Sequence, residues 1–279
     1  MRRRAWVWVA LLLVPGRLVA QVDCTVGHLP GDSHEAQTMA IFAVPLAFAP
    51  AGPPASPGWA FVRVSLEAAY LPKVDRATAT PTYCRPGKGP EHTDLLFAFP
   101  RPRVAVGLPL GLLVEASWVP PVRLNGVKAD LFGVSLARSV GLGAGGTVLA
   151  FRGHATFGTI RAPITCDEKA ILDSSSECFG QKVSNDRFRP NIFGGDVTLG
   201  FRAANGALRP YVGGGINVLH PRFVVSSTLQ KVEVNLTRGV LFGGVGWAPT
   251  PGLELAGEVY SAPADAVTGR VTVRYELRE

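Results

Sequence analysis

Apolar and polar residues alternate with a period of two along most of this chain, which places one residue set on each face of an extended strand. In Trp59–Leu71, Val62, Val64, Leu66, Ala68 and Tyr70 fall on one face and Arg63, Ser65 and Glu67 on the other. Val104, Val106 and Leu108 alternate with small residues, and Leu112, Val114, Ala116 and Trp118 oppose Glu115 and Ser117. Lys128–Val140 reads as a strand whose parity slips near Gly133-Val134, where a bulge is expected. Thr147–Arg161 sets Arg152, His154 and Thr156 against Phe151 and Phe157. Asp196, Thr198 and Arg202 face away from Val197, Leu199 and Phe201, and Tyr211 and Asn217 from Val212 and Ile216. Val232–Trp247 reads as one long strand. Leu253, Leu255 and Val259 then oppose Glu254 and Glu258, and Val271, Val273, Tyr275 and Leu277 oppose Arg270, Thr272, Arg274 and Glu276. The pattern predicts about ten strands, many near the nine to eleven residues that a tilted membrane strand needs.

The connections sort by length. Pro72–Pro102 and Ile164–Asn191 are long, whereas Pro109–Gly111, Ala203–Gly206 and Ala248–Gly252 are short. With the first strand entering from the periplasm, the long connections lie outside and these tight turns inside, an asymmetry of outer-membrane barrels. The expected fold is therefore all-β: a transmembrane antiparallel up-and-down β-barrel of about ten strands, with eight or twelve as alternatives.

Composition supports a lipid-facing wall. Only 18% of residues are charged, yet past the first twenty residues no apolar run is long enough to cross a bilayer as a helix. A barrel spreads its apolar residues over one face of every strand and so needs no such run. The N-terminus carries Arg2, Arg3 and Arg4, then the apolar Ala5–Val14, and small residues ending at Ala20. That is the pattern of a signal peptide over 1–20, cleaved between Ala20 and Gln21, and it implies export; with the barrel pattern, the expected destination is the outer membrane of a Gram-negative-type bacterium. Its removal takes four arginines and leaves 24 basic residues against 21 acidic, or +3. No basic run with interleaved aromatics remains, so nucleic acid is not an expected partner.

Residues 21–57 break the strand pattern and precede the barrel proper, 58–279. Ser33–Met39 carries the cap and first turn of a short helix, followed by an apolar, proline-rich stretch. Four cysteines in an exported chain favour two disulfides. Cys166 and Cys178 bracket a short polar stretch, leaving Cys24 and Cys84 as the other pair; free thiols are the alternative. A Cys24–Cys84 bond would carry residues 21–57 through or over the barrel as a luminal plug, and the alternative is a periplasmic lead-in.

The segments RPYVGGGIN (Arg209–Asn217) and GVGWAPTPGLELAGEVY (Gly244–Tyr260) resemble the small outer-membrane barrels grouped around the outer-membrane protein A type of domain. These often open a strand with Arg-Pro-Tyr-x-Gly and run an aromatic through a proline turn into a Leu-x-Leu strand. The stretch RPRVAVGLPLGLLVEASWVPP is also similar to larger fatty-acid-transporter-like barrels with an N-terminal plug. The resemblance implies outer-membrane lipid and the barrel-assembly machinery as partners, and a monomer. Such barrels usually end on Phe or Trp, whereas this sequence ends Tyr275-Glu276-Leu277-Arg278-Glu279.

Candidate chemistry is sparse. Gly141–Gly146 leads into a strand pattern instead of a helix, so it lacks the helix N-terminus of a dinucleotide site. Cys24, His28, Asp32 and His34 match no standard metal-ligand spacing, and Asp167, Glu168, Asp173 and Glu177 read as a solvated loop more than a calcium site. No Gly-x-Ser-x-Gly elbow is present, and His154 is the one histidine well inside a predicted strand. No enzyme, cofactor or metal is expected. What remains is an inward row: Arg63, Glu67, Glu115, Arg152, His154, Asp196, Arg202, Glu258, Arg270, Arg274 and Glu276. Opposite charges in a narrow lumen should pair across strands and fill it, the alternative being a solute path lined by them. The expected role is structural or surface-interaction, with a narrow channel or carrier for small or hydrophobic molecules next, and a lipid hydrolase built on His154 after that.

Overall fold

A computed structural model describes residues 28–57, 60–85, 88–143, 145–203 and 206–277. The expected signal peptide, its cleavage position and Cys24 lie outside these residues. One helix, α1 (His34–Leu46), precedes fourteen strands in a single antiparallel sheet. These are β1 (Phe61–Tyr70), β2 (Ala98–Leu108), β3 (Leu112–Val119), β4 (Arg123–Leu124), β5 (Val127–Leu142), β6 (Thr147–Ala162), β7 (Asp186–Arg189), β8 (Ile192–Gly200), β9 (Leu208–Leu219), β10 (Arg222–Val224), β11 (Lys231–Glu233), β12 (Leu236–Thr250), β13 (Leu253–Ala262) and β14 (Ala266–Leu277).

Ten of them close the barrel in the order β1-β2-β3-β5-β6-β8-β9-β12-β13-β14, with β14 pairing back onto β1 from Val62↔Leu277 to Ala69↔Arg270. The four short strands β4, β7, β10 and β11 extend one rim, where the long connections gather. The connection between β13 and β14 at that rim is only Pro263–Asp265. At the other rim β2–β3 turn through Pro109–Gly111 and β12–β13 through Pro251-Gly252.

The wall is two-faced along its length. On β14, Val271, Val273, Tyr275 and Leu277 are exposed while Thr268, Arg270, Thr272 and Arg274 are buried. Exposed apolar residues recur on all ten barrel strands, far beyond the few hundred Å² that a water-facing monomer tolerates. On the outer surface near the long-loop rim, Trp118, Phe132 and Phe157 stack at 6.1 and 5.9 Å between ring centres, and Trp118 Nε1 donates to Asp130 at 3.1 Å. Trp247 and Tyr275 lie toward the opposite rim. Aromatics at both rims suit the two interfaces of a bilayer.

Three strand expectations change. No bulge occurs at Gly133-Val134: β5 pairs β3 in unbroken register from Leu112↔Arg138 to Val119↔Leu131. The parity seemed to slip because the inward residues Ala129 and Leu131 are apolar, and they are apolar because they pack in the core cluster formed with α1. The stretch Val232–Trp247 is two strands, β11 and β12, with Val234-Asn235 between them. Strand β2 begins at Ala98, so Pro100 and Pro102 lie in a strand; the β2–β3 pairing starts only at Arg103↔Ser117, which leaves the prolines on a free edge.

Residues 28–57 occupy the lumen. Ser33 caps α1, its Oγ accepting from Ala36 N at 3.2 Å. The helix carries apolar residues on every side and is buried accordingly, with Ala36, Ala40 and Ala43 fully enclosed. Its start lies at the long-loop rim, where Leu29 N donates to Glu233 O at 2.8 Å. The segment leaves at the opposite rim, where Pro57 neighbours Gly111 and Gly141. The chain thus threads the barrel once before building it.

Candidate functional site in the barrel lumen

The C-terminal turn of α1 and the extended residues after it present backbone carbonyls that no helical partner can satisfy. Arginines of the wall meet them. Arg101 donates to Leu46 O at 2.7 Å and Ala47 O at 3.2 Å, and Arg270 to Val44 O at 2.9 Å and Ala47 O at 3.0 Å. Arg152 reaches Phe48 O at 2.6 Å, Arg103 reaches Ala49 O at 2.9 Å, and Arg274 reaches Pro50 O at 2.8 Å. Thr156 adds a bond to Leu46 O at 3.2 Å. Guanidinium suits the task, since it presents several donors in one plane and stays charged when buried. The Phe48 ring lies between Arg103 and Arg101, at 4.1 and 5.6 Å from its centre.

Carboxylates of the wall balance these cations. Glu67 contacts Arg103 and lies 3.6 Å from Arg270, Asp196 pairs with Arg152 at 2.5 Å, and Glu254 with Arg274 at 3.1 Å and Arg209 at 3.2 Å. Arg63 and Glu276 pair at 2.6 Å near the short-turn rim. Glu258 accepts from Ala51 N at 3.0 Å and Tyr211 OH at 3.1 Å. Glu115 accepts from Ser135 at 3.1 Å. Among the described residues, Arg63, Arg101, Arg103, Arg152, Arg209, Arg270 and Arg274 face Glu67, Glu115, Asp196, Glu254, Glu258 and Glu276, so positive charge is in excess by one. The partial negative charge at the end of α1, roughly half a unit, sits against that excess.

Of the eleven predicted inward residues, ten lie on the lumen side, and these clusters join all but His154. Arg202 does not join them: β8 ends at Gly200, and Arg202 is exposed in the turn that follows. The inward row drawn from the sequence left out Arg101, Arg103 and Arg209, and also Glu254, although alternation had set Glu254 opposite Leu253 and Leu255. The first two alternate with Pro100 and Pro102, and continuing the period of two through those prolines would have found them.

His154 faces Ser135 across the β5–β6 pair and has Nε2 3.6 Å from Asp196. The three residue types of a hydrolase are therefore neighbours, but they do not form its relay. Ser135 donates to Glu115, Asp196 is held by Arg152, and the plug covers the group. Of the candidate metal residues, Cys24 lies outside the described residues and His34 Nδ1 bonds Thr80 O at 3.0 Å; no metal-binding group of three His, Cys, Asp or Glu occurs among the described residues.

The outer end of the lumen differs in kind. A cavity of about 130 Å³ lies between α1, the upper wall and the outer loops, bordered by Met39, Phe42, Phe99, Ile160, Phe188 and Val232. Glu35 of α1 also borders it and holds the β1–β2 loop, its Oε1 accepting from the backbone N–H of Thr82, Tyr83 and Cys84 at 3.2, 2.9 and 2.9 Å. Cys84 is disulfide-bonded, and Cys166 pairs with Cys178. The β1–β2 loop meets the disulfide loop through Arg85–Glu177 at 2.7 Å, His92–Asp167 at 3.3 Å and Lys88 Nζ to Thr165 O at 3.1 Å. Burial pushes the Glu91 carboxyl, in contact with Lys88, up to about 7 and lowers the lysine. Asp186 ties the loops further, accepting from Thr165, Ser184 and Ser226 at 2.8 Å each.

A closed ten-stranded wall, apolar outside and ionic within, has one explanation in terms of solvent: lipid outside and a packed polar interior. The chain has the fold of the outer-membrane β-barrel proteins. No family model matches the sequence, and no curated protein matches it. Among solved structures, Ail, the attachment invasion locus protein of Yersinia pestis, is 11% identical with a TM-score of 0.35, over 80% of this chain and 100% of that one. Neisserial surface protein A is 9% identical with a TM-score of 0.28, over 79% and 97%. A mutant porin of Rhodopseudomonas blastica is 9% identical with a TM-score of 0.23, over 78% and 99%. Likeness at this level says nothing of what the chain does, and the barrel rests on its own strand pairing.

Proposed function

We propose that this is an exported outer-membrane protein, a monomer in lipid, whose barrel is a sealed support for the loops it displays. Its role is structural or surface-interaction, without catalysis. The observation that supports this reading is the arginine set bound to plug carbonyls from Val44 to Pro50, which ties the filling segment to opposite stretches of wall. A solute path would need that segment to leave and five arginines, Arg101, Arg103, Arg152, Arg270 and Arg274, to lose acceptors at once. The barrel-assembly machinery would insert the chain, and the outer loops would then be the surface offered to other molecules.

Reconstitution into planar bilayers tests the reading. Full-length protein, folded by the criterion of heat-modifiable migration on a detergent gel, should be electrically silent. Reproducible single-channel steps would overturn the sealed barrel and favour a narrow channel.

A further inference from the structure

The strands at the long-loop rim carry a row of cations that the protein itself does not neutralise. Arg123 on β4 lies directly opposite Lys128 on β5, Lys128 opposite Arg161 on β6, and Arg161 opposite Arg187 on β7. Residues paired in this way share a face, and here it is the outside: the alternating neighbours Val127, Ile160 and Phe188 point inward to border the outer-end cavity. Among the described residues none of the four has an ion-pair partner, and neither has Arg189, on the same face of β7. Other outer cations are engaged, Arg222 and Lys231 with Glu233, Arg85 with Glu177 and Arg238 with Asp265. Asp130, the outward acid next along β5, accepts from Trp118 instead. Like charges directly opposite each other destabilise a strand pair, and three such pairs follow one another here. An anion from outside the chain would relieve all three.

We infer that this row docks anionic lipid of the outer leaflet whose headgroup carries phosphomonoester groups. Depth selects lipid. Lys128 and Arg161 lie four residues nearer the long-loop rim than the paired Phe132 and Phe157 of the aromatic stack. Four residues are about 13 Å along a strand, or about 10 Å along the membrane normal at a tilt near 40°. That lifts the row above the hydrocarbon, and side chains as long as these reach back to headgroup level. Chemistry selects phosphate, which guanidinium groups meet with two parallel hydrogen bonds each. Strand spacing of about 4.8 Å spreads the four cations over about 14 Å, room for more than one phosphate. The inference rests on the membrane barrel proposed above, and it adds which lipid that barrel gathers and on which side.

The test uses full-length, disulfide-intact protein in vesicles of phosphatidylcholine with one-tenth phosphatidic acid. Native mass spectrometry after extraction into neutral detergent reads which lipid stays bound. Wild type should retain phosphatidic acid about fivefold or more above its share of the vesicle, since a single cation near an anionic lipid surface contributes roughly that factor. Arg123→Gln/Lys128→Gln/Arg161→Gln/Arg187→Gln should abolish the enrichment while the heat-modifiable band persists. If that variant fails to fold, Lys128→Gln/Arg161→Gln removes the two central cations and should cut the enrichment severalfold. Arg76→Gln removes an exposed cation of the β1–β2 loop outside the row and should leave it unchanged. Thermal unfolding gives a second readout: phosphatidic acid should raise the transition of wild type and not of the fourfold variant, which in pure phosphatidylcholine should be the more stable of the two. Inorganic phosphate should not displace the bound lipid at equal phosphate concentration; displacement would make the site one for free phosphate and overturn the lipid assignment. Folded wild type with no enrichment, or enrichment that survives loss of the row or falls equally with Arg76→Gln, would overturn the site alone. Wild type that gives no heat-modifiable band in these vesicles would refute the membrane barrel and the site with it.

Discussion

Arg152 on the barrel wall donates to the carbonyl oxygen of Phe48, 104 residues earlier in the chain, at 2.6 Å, while its other guanidinium nitrogens hold Asp196. A side chain of the sheet thus satisfies the backbone of a segment that belongs to no sheet. Removing Arg152 strands two groups at once, the Phe48 carbonyl and the Asp196 carboxylate, in a place that water does not reach. Breaking a buried pair from one side costs about 3–5 kcal/mol. Arg152→Ala should lower the temperature of the heat-modifiable transition well below that of wild type, and Arg152→Ala/Asp196→Ala should recover part of the loss. A double variant no more stable than the single would show that Asp196 gains nothing from this arginine.

Glycines on the wall make a second prediction. A methyl group added at Gly215 would lie 2.2 Å from the carbonyl oxygen of Gly195 on the neighbouring strand and 2.7 Å from the Cβ of Asp196. Backbone, unlike a side chain, cannot swing aside. Gly215→Ala should cost about 1–3 kcal/mol by overpacking, measurable as the same thermal shift, whereas Gly257→Ala meets nothing within 4 Å and should be close to neutral.

The outer loops should respond to pH through Glu91. Burial raises its folded-state pKa from 4.5 to about 7, even though Lys88 touches it. Between these values the folded loop holds a proton that the unfolded one has released, so stability falls as pH rises. The contribution is complete below about 4.5 and lost by the time pH passes 7, and a shift of this size corresponds to roughly 3 kcal/mol at most. Hydrogen exchange of the Lys88–His92 amides should therefore be slower at pH 5 than at pH 8 once intrinsic rates are removed. Glu91→Gln should abolish that difference; if it persists, another group titrates.

Loss of the Cys166–Cys178 bond should act locally. The bond closes a loop with a sequence separation of 12, and a closure of that length is worth about 3 kcal/mol of chain entropy. The barrel's own pairings do not pass through it. A Cys166→Ser/Cys178→Ser variant, which keeps the disulfide at Cys84, should become sensitive to trypsin at Lys169 while keeping its heat-modifiable band. Loss of the band in that variant would mean that the loop holds the wall together.

Much of the wall was legible because lipid outside and charge inside impose opposite demands on adjacent residues, as in Val62, Val64 and Leu66 against Arg63 and Glu67. The plug's contacts were not. A backbone carbonyl such as Phe48 O has no signature in sequence, so nothing marked it as the partner of Arg152. The inward face of β5 was misread for the same reason: Leu131 faces an apolar helix, and what faces a residue across a lumen is a tertiary fact. Arg202 erred the other way, because alternation was carried beyond Gly200, where the strand stops. Glu35 gave a helix signal and nothing more, since its loop contacts come from residues forty-seven to forty-nine positions away.

Lipid as the solvent of the outer face makes the last prediction. Val271 lies midway along β14, paired with Ala68 on one side and Gly257 on the other, and its side chain is exposed. In water an exposed Val→Arg change is worth within about 0.5 kcal/mol either way. At the midplane of a bilayer the same arginine costs about 2–4 kcal/mol, and the cost fades toward the interfaces. Val271→Arg should therefore fold poorly into vesicles. The same substitution at Leu277, at the rim end of that strand, should be tolerated far better. Equal tolerance at the two positions would contradict a membrane around this barrel. Depth dependence is the telling feature, because damage to strand pairing alone gives no reason for the penalty to follow distance from the rim.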